Sequence, residues 1–207
     1  MPNEYDLSDR TIRHLNSKAI RRFRKAQQDC AILDFDELNV IKVVRVLYQR
    51  LKKDNQEAFL TLAVEKYGAT KPHGKKPPDV DWLLDYLEDT NRITLYSYDR
   101  EVDRKRDRLE ESVNAADNKP KEFRKGLRYW SDMTRQYSDI VSDEATLKAY
   151  KDGGVKYVRW ITQEDEKVCK DCWERNGKIY PLASVPAKPH WGCRCYLKPV
   201  SKGFNGE

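Results

Sequence analysis

Apolar side chains recur at three- and four-residue spacings over most of this chain, the pattern of helices that bury one face. Ile12, Leu15, Ala19, Phe23 and Ala26 form one stripe, and Ser8 or Asp9 ahead of it supplies a cap. The spacing predicts a first helix running to about Ala31. Leu38, Ile41, Val44, Tyr48, Leu51, Phe59, Leu62 and Ala63 form a second stripe, from a cap at Asp36 to a stop at Gly68. The short link from Leu33 to Asp36 joins the two as an antiparallel hairpin, residues 1–68. Stripes of this kind are core.

Gly68-Ala-Thr-Lys-Pro-His-Gly-Lys-Lys-Pro-Pro78 breaks the pattern, so residues 69–78 read as a linker with a solvated His73. A second helical region, 79–152, follows. Asp79 to Asp89 predicts a short helix with Trp82, Leu83, Tyr86 and Leu87 on its apolar side. Thr90-Asn91 interrupts it. Ile93 to Tyr98 has the composition of a strand or a helix; helix is favoured because Asp99 to Ala116 continues in strong helix formers. Charges alternate in sign along that run, as on an exposed face laced with ion pairs, which makes its carboxylates poor candidates for acid–base catalysis. Lys119-Pro120 restarts a helix to about Lys151, with Phe123, Leu127, Trp130, Met133 or Thr134, Tyr137, Ile140 or Val141, Ala145 and Leu147 inward. Gly153-Gly154 stops it. Beyond, the period drops to two: Val155 to Ile161 predicts a strand, and Tyr196 to Val200 a closing one, within a C-terminal unit 153–207.

Composition narrows the class. At 207 residues the chain is one moderate domain, or a helical domain with a small appendix. A charged fraction of 36% and a mean hydropathy of −0.91 suit long exposed helices. No apolar run is long enough for a membrane span. The net charge of +6 comes from 40 basic and 34 acidic residues, a mixed surface. The first helix is the exception, with no acidic residue between Arg10 and Gln28. Arg13, Arg21, Arg22, Arg24 and Lys25 are its candidate nucleic-acid contacts; a merely solvated face accounts for them equally. Cys30 stands alone and reads as a small core residue.

The candidate chemistry lies between Cys169 and Cys195, which hold four of the five cysteines. Cys169-Lys-Asp-Cys172 and His190-Trp-Gly-Cys193-Arg-Cys195 are two ligand-rich knuckles at the interval of a zinc ribbon or zinc finger. Two disulfides would use the same residues, but the opening Met-Pro-Asn-Glu-Tyr-Asp shows no export signal. A redox Cys-x-x-Cys would sit in a βαβ pattern and leave the second knuckle unexplained. Structural Zn2+ is the expectation, held by four of Cys169, Cys172, His190, Cys195 and Cys193. Cys193 is the least favoured, because an extended Cys193-Arg194-Cys195 sends its sulfurs to opposite faces, and a bend at Gly192 brings Cys195 in and turns Cys193 away. Asn176-Gly177 predicts a turn between Glu174-Arg175 and the strand-like Lys178-Ile179-Tyr180, a hairpin leaving the first knuckle. Pro181, Pro186 and Pro189 stiffen the return path. So small a β unit buries little, and the ion supplies the missing folding energy. The expected fold is mainly α, a long-helix bundle or hairpins with a small C-terminal zinc-stabilised β module.

Enzyme signatures are lacking: no Gly-rich phosphate loop, no G-x-S-x-G, no H-E-x-x-H, and no H-x-E of a zinc deaminase. An HNH-type nuclease needs a histidine pair, whereas His14 and His73 fall in the basic helix and the linker. No catalytic residue is assigned.

Trp160-Ile161, Asp165-Glu-Lys-Val-Cys169-x-x-Cys172, Asn176-Gly177-Lys178-Ile179-Tyr180 and Pro189-His190-Trp191-Gly192-Cys193-Arg194-Cys195 together resemble the C-terminal signature of phage minor head proteins. These are the Mu F-like head morphogenesis proteins of tailed bacteriophages and prophages. Thr134-Arg135 fits the same pattern, and the likeness is looser over the helices before it. The resemblance implies a non-enzymatic virion component, present in few copies inside the head. Its partners would be the portal, other capsid proteins and packaged double-stranded DNA, in an oligomeric setting, with assembly in the host bacterial cytoplasm. Many relatives are longer, and 207 residues leave no room for the toxin or enzyme domains some of them carry. The alternative reading, from the residues alone, is a zinc-ribbon protein that binds nucleic acid through its first helix.

Overall fold

The computed structural model describes residues 5–70, 76–89 and 97–200, with side chains from Leu7 onward. The centre of the linker, with His73, and most of the Ile93–Tyr98 run lie outside these residues. Four long helices, α1 (Tyr5–Ala31), α2 (Glu37–Ala69), α4 (Tyr98–Asn114) and α5 (Lys119–Asp152), share one core. The short α3 (Val80–Glu88) packs on its flank, against α2 and α4. Among the described residues, no helix is long and apolar enough to cross a membrane.

Local signals account for most of the boundaries. The Asp36 carboxylate accepts from the Asn39 N–H and starts α2. Asp79, Ser97 and Asn118 do the same for α3, α4 and α5, and Pro120 sits in the first turn of α5, where its missing N–H costs nothing. Between α1 and α2, Asp34 and Phe35 adopt φ of 46° and 55°, a strained turn for residues with a Cβ. The strain is offset by burial: the Phe35 ring meets Phe123 edge-on at 6.2 Å, and burying such a ring contributes roughly 2 kcal/mol.

Two expectations shift. Helix α1 begins at Tyr5, so Ser8 lies buried inside its first turns and does not cap it. On α2, Leu38 is exposed, while Val40 and Leu47 join Val44, Tyr48 and Leu51 inside. The reason is that α2 packs against α1, α4 and α5 at once, so its buried face is broader than one stripe and turned from the one the spacing suggested. The α4 charges pair as expected, Arg104 with Glu101 at 2.7 Å and Arg106 with Asp103 at 2.7 Å. Polar pairs cross from α2 to α5: Asn55 Nδ2 donates to Thr134 Oγ1 at 3.0 Å inside the bundle, and Tyr67 Oη donates to Asp152 at 2.7 Å near its end.

Helix α5 ends at Gly153, and Gly154, at φ 73°, turns the chain into the C-terminal module. There β1 (Tyr157–Ile161) is the centre of a three-stranded antiparallel sheet, flanked by β2 (Ile179–Pro181) and β3 (Tyr196–Pro199). Val158 and Trp160 point inward on alternate positions of β1. The predicted hairpin is corrected here. Glu174 and Arg175 belong to a short helix, α6 (Lys170–Arg175), and the partner of β2 is β1, with Arg159 opposite Ile179. A second small core, Trp160 with Cys172, Cys193 and Cys195, lies under this sheet.

Candidate metal centre

Each knuckle is shaped by its own sequence. Cys169 caps α6, its sulfur accepting the Cys172 N–H at 3.4 Å, so the helical turn carries both thiols to the same side. Gly192, at φ 70°, reverses the chain after His190-Trp191 and directs Cys193 back toward the first knuckle. Cys195 follows just ahead of β3 and is buried as well.

The structure brings all five predicted donors together in two overlapping triads. Cys169, Cys172 and His190 form one and Cys172, Cys193 and Cys195 the other, each with its ligand atoms within 4.8 Å of one another. Cys172 belongs to both. Its sulfur is 3.4 Å from Cys193 Sγ and 4.0 Å from His190 Nε2, which is itself 3.1 Å from Cys169 Sγ. The expectation that Cys193 turns away is therefore not met: residues 193–195 are not in an extended strand, so the alternation that would separate the two sulfurs does not apply. A small pocket of about 20 Å³, open to solvent, lies against the five donors, with Gln163, Lys167, Val168 and Arg194 also lining it.

The electrostatics suit a cation. Burial, then the contact with Cys193, pushes the Cys172 thiol far above its ordinary range, and burial raises Cys193 too. Cys169 sits at the rim. Burial pushes its thiol up, but the Cys172 N–H and then His190 outweigh this and hold it below the ordinary value. His190 is raised, first by its bond to the Trp191 carbonyl. That carbonyl can only accept, so Nδ1 at 2.8 Å carries the proton and Nε2 is left facing the sulfurs as a ligand. Four clustered sulfurs ionise together only around a positive charge, and this cluster can hold a metal ion.

Sequence reasoning missed the residues that brace the knuckles. Arg194 forms a two-pronged pair with Asp165, at 2.6 and 2.7 Å, which ties the second knuckle to the loop ahead of the first. Asn176 Oδ1 accepts the Thr162 N–H at 3.0 Å and fixes the end of α6 against β1. Trp160 lies beneath the Arg175 guanidinium, 5.1 Å from its ring centre, and meets Tyr180 at 6.5 Å. Three contacts seat the module on α5: Tyr150 Oη donates to the Leu197 carbonyl at 3.1 Å, Lys188 pairs with Asp143 at 2.6 Å, and Trp191 meets Tyr137 at 6.1 Å. Asp165 and Arg194 were legible as parts of the motif, but their pairing was not, since it links two loops distant in sequence.

A cleft of about 740 Å³ separates α5 from the loop carrying Val185 to Leu197. Asp139 faces it, its carboxyl raised to about 6 by burial and then by the nearby Asp143.

The basic residues of α1 divide. Arg22 is committed to Asp54 of α2, with Nη2 to Oδ1 at 2.8 Å, and Lys18 approaches the same carboxylate at 3.6 Å. Lys25 pairs with Asp29 at 2.8 Å. Arg22 is therefore withdrawn as a free phosphate contact, because the buried Asp54 requires its charge. Arg13, Arg21 and Arg24 are exposed and have no carboxylate partner among the described residues. His14 is likewise exposed on α1, in no constellation resembling a nuclease site.

No family model, curated protein or solved structure matches the chain.

Proposed function

We propose that the chain is a structural minor head protein of a tailed phage or prophage, acting in head morphogenesis near the portal, and that its C-terminal module is held by one Zn2+. The observation that carries the reading is the motif from Asp165 to Cys195, which resembles the signature of that family and whose five donors lie in two overlapping triads that could hold a metal ion. A set of thiolates with one imidazole suits zinc above the hard cations, which take oxygen ligands. Zinc would neutralise the thiolates and join the two knuckles; the remaining work of the module belongs to the chain's own residues. Asp165 and Arg194 hold the knuckles in register, while Lys188, Trp191 and Leu197 fix the module's position on α5. Such a small rigid unit on a long helical body suits assembly, and no residue is assigned to catalysis. Contact with packaged DNA, and possession of a portal-bound oligomeric state in the virion interior, follow from the family resemblance. The alternative, a zinc-ribbon protein that binds nucleic acid through α1, has less support because Arg22 and Lys25 are engaged within the chain.

Quantitative mass spectrometry on purified particles tests the reading. Full heads should contain the protein in few copies, and protein made in a bacterial cytosol should carry about one zinc per chain after purification. Particles that assemble and package without it would overturn the proposed role. Metal-free protein with paired cysteines would overturn the zinc.

A further inference from the structure

The hairpin of α1 and α2 carries a feature that the metal site does not explain. A groove of about 550 Å³ runs between the two helices, lined by Lys18, Arg21, Arg22, Lys25, Lys42 and Arg50. Its floor is apolar, made by Ala26, Val43, Val46 and Leu47. Lys18 and Arg22 are anchored on Asp54, and Lys25 on Asp29, but Arg21, Lys42 and Arg50 have no carboxylate partner among the described residues. Other basic side chains of the bundle are paired, as Lys52 is with Asp99, Arg104 with Glu101 and Lys148 with Asp152. The groove thus holds positive charge the chain does not neutralise.

Apolar surface continues out of it. Ile32 is 75% exposed, Leu33 57% and Leu38 66%, all at the closed end of the hairpin, and Val46, in the groove floor, is 44% exposed. Leu38, Lys42, Val46 and Arg50 recur every four residues and so lie along one side of α2, apolar and basic in alternation. On α1, Arg21 and Lys25 face the same groove, and Ile32 lies just past the end of that helix, in the turn. Large apolar side chains left in water beside a groove with a charged rim mark a protein-binding surface.

We propose that the α1–α2 groove docks an acidic amphipathic helix of a partner protein. The apolar face of that helix covers Val43, Val46 and Leu38, and its carboxylates meet Arg21, Lys42 and Arg50. The combination decides against a duplex nucleic acid as the occupant. Phosphates would use the bases but leave Ile32, Leu33, Leu38 and Val46 against a polar backbone, whereas an amphipathic helix uses both. Of the nine large apolar side chains exposed among the described residues, six (Ile20, Ile32, Leu33, Leu38, Val46 and Val64) lie on this hairpin, and Val46 lines the groove itself. The proposal is independent of the metal and of the head-protein reading, and it assigns work to Lys42 and Arg50, which lie outside the basic run of the first helix.

The test uses the full-length chain and fluorescence anisotropy at physiological salt. Three probes are compared: a labelled helical peptide with leucines at i, i+3, i+4 and i+7 and glutamates elsewhere, the same peptide with lysines for glutamates, and a random-sequence DNA duplex. The glutamate peptide should bind and the lysine peptide should not. Lys42→Glu with Arg50→Glu should weaken binding by about tenfold or more, and Val46→Ser by a comparable factor, while Arg24→Glu, off the groove, should have little effect. All of these positions are exposed, and unchanged helical circular dichroism would show that the variants fold. If Val46→Ser folds poorly, Leu38→Ser at the fully exposed end tests the same apolar contact. Equal binding of the two peptides overturns the proposal. So does a duplex that binds more tightly than the glutamate peptide and is lost with Lys42 and Arg50 but not with Val46; that result assigns the groove to nucleic acid.

Discussion

Among the donors, Cys172 is the only one common to both triads, and its loss removes a ligand atom from each. The others differ in burial: Cys193 and Cys195 are enclosed, Cys169 is half-buried, and His190 is exposed at the rim. An enclosed sulfur close to the shared thiol has fewer alternatives than a histidine open to water. Cys172→Ser should therefore abolish zinc retention, and Cys193→Ser should lower zinc affinity by about 100-fold, at least as much as His190→Ala. Competition with a chromophoric chelator measures all three. A Cys193→Ser protein that keeps its full affinity would restore the ligand set expected from the sequence. The donors themselves were legible because two short motifs name them; which of them face one another was not, because that depends on the bend at Gly192 and on the capping turn of α6. Arg22 illustrates the same limit. Its basic neighbours marked it as available to phosphate, and only the fold brings Asp54 to it from a different helix.

That pair is also the clearest energetic link between two elements. Burial raises the Asp54 carboxyl, but the bonds from Arg22 outweigh it, so the folded value lies below the ordinary carboxylate range. A depressed carboxylate contributes stability that is fully present above its unfolded value, about 4, and is lost as pH falls through the folded value. Asp54→Asn should cost about 2 kcal/mol at neutral pH, because it leaves Arg22 facing a buried neutral group. Urea melts of the two proteins should converge as pH falls from about 5 to about 2. A gap that stays constant with pH would remove the ion pair from the account. The boundaries of α2, α3 and α5 were read well, since capping residues, the Gly153-Gly154 stop and apolar spacing act locally, while the start of α1 was not. The rotation of α2 and the pairing of β2 with β1 were not, because both depend on what packs from elsewhere. Leu38 fitted the stripe and is exposed; Glu174-Arg175 fitted a hairpin and became a helix.

For the whole molecule, two cores of unequal size predict two separate responses. The bundle buries aromatic side chains from all four long helices, linked edge to edge from Phe59 through Tyr98 to Tyr137 at 5.7 and 4.9 Å. The module's core is Trp160 and three cysteines. Treatment with a strong chelator should unfold the module and expose Trp160, seen as a red shift in tryptophan emission, while helical circular dichroism stays largely intact. A single cooperative loss of both signals would mean that the two cores are thermodynamically one.

The order of these two cores along the chain sets an order of events in the cell. Every residue that builds the four long helices precedes Gly153, and every sulfur of the metal cluster follows it. A ribosome adds roughly 5–20 residues per second, so the helical body has a head start of seconds over the last thiol, Cys195. The newborn knuckles then meet a platform that already presents Asp143, Tyr137 and Tyr150, and on the zinc proposal metal capture would be the closing event of maturation. If the proposed zinc is what closes the module, a cell short of it would accumulate chains finished everywhere but at this end, with proteases finding their first point of attack there.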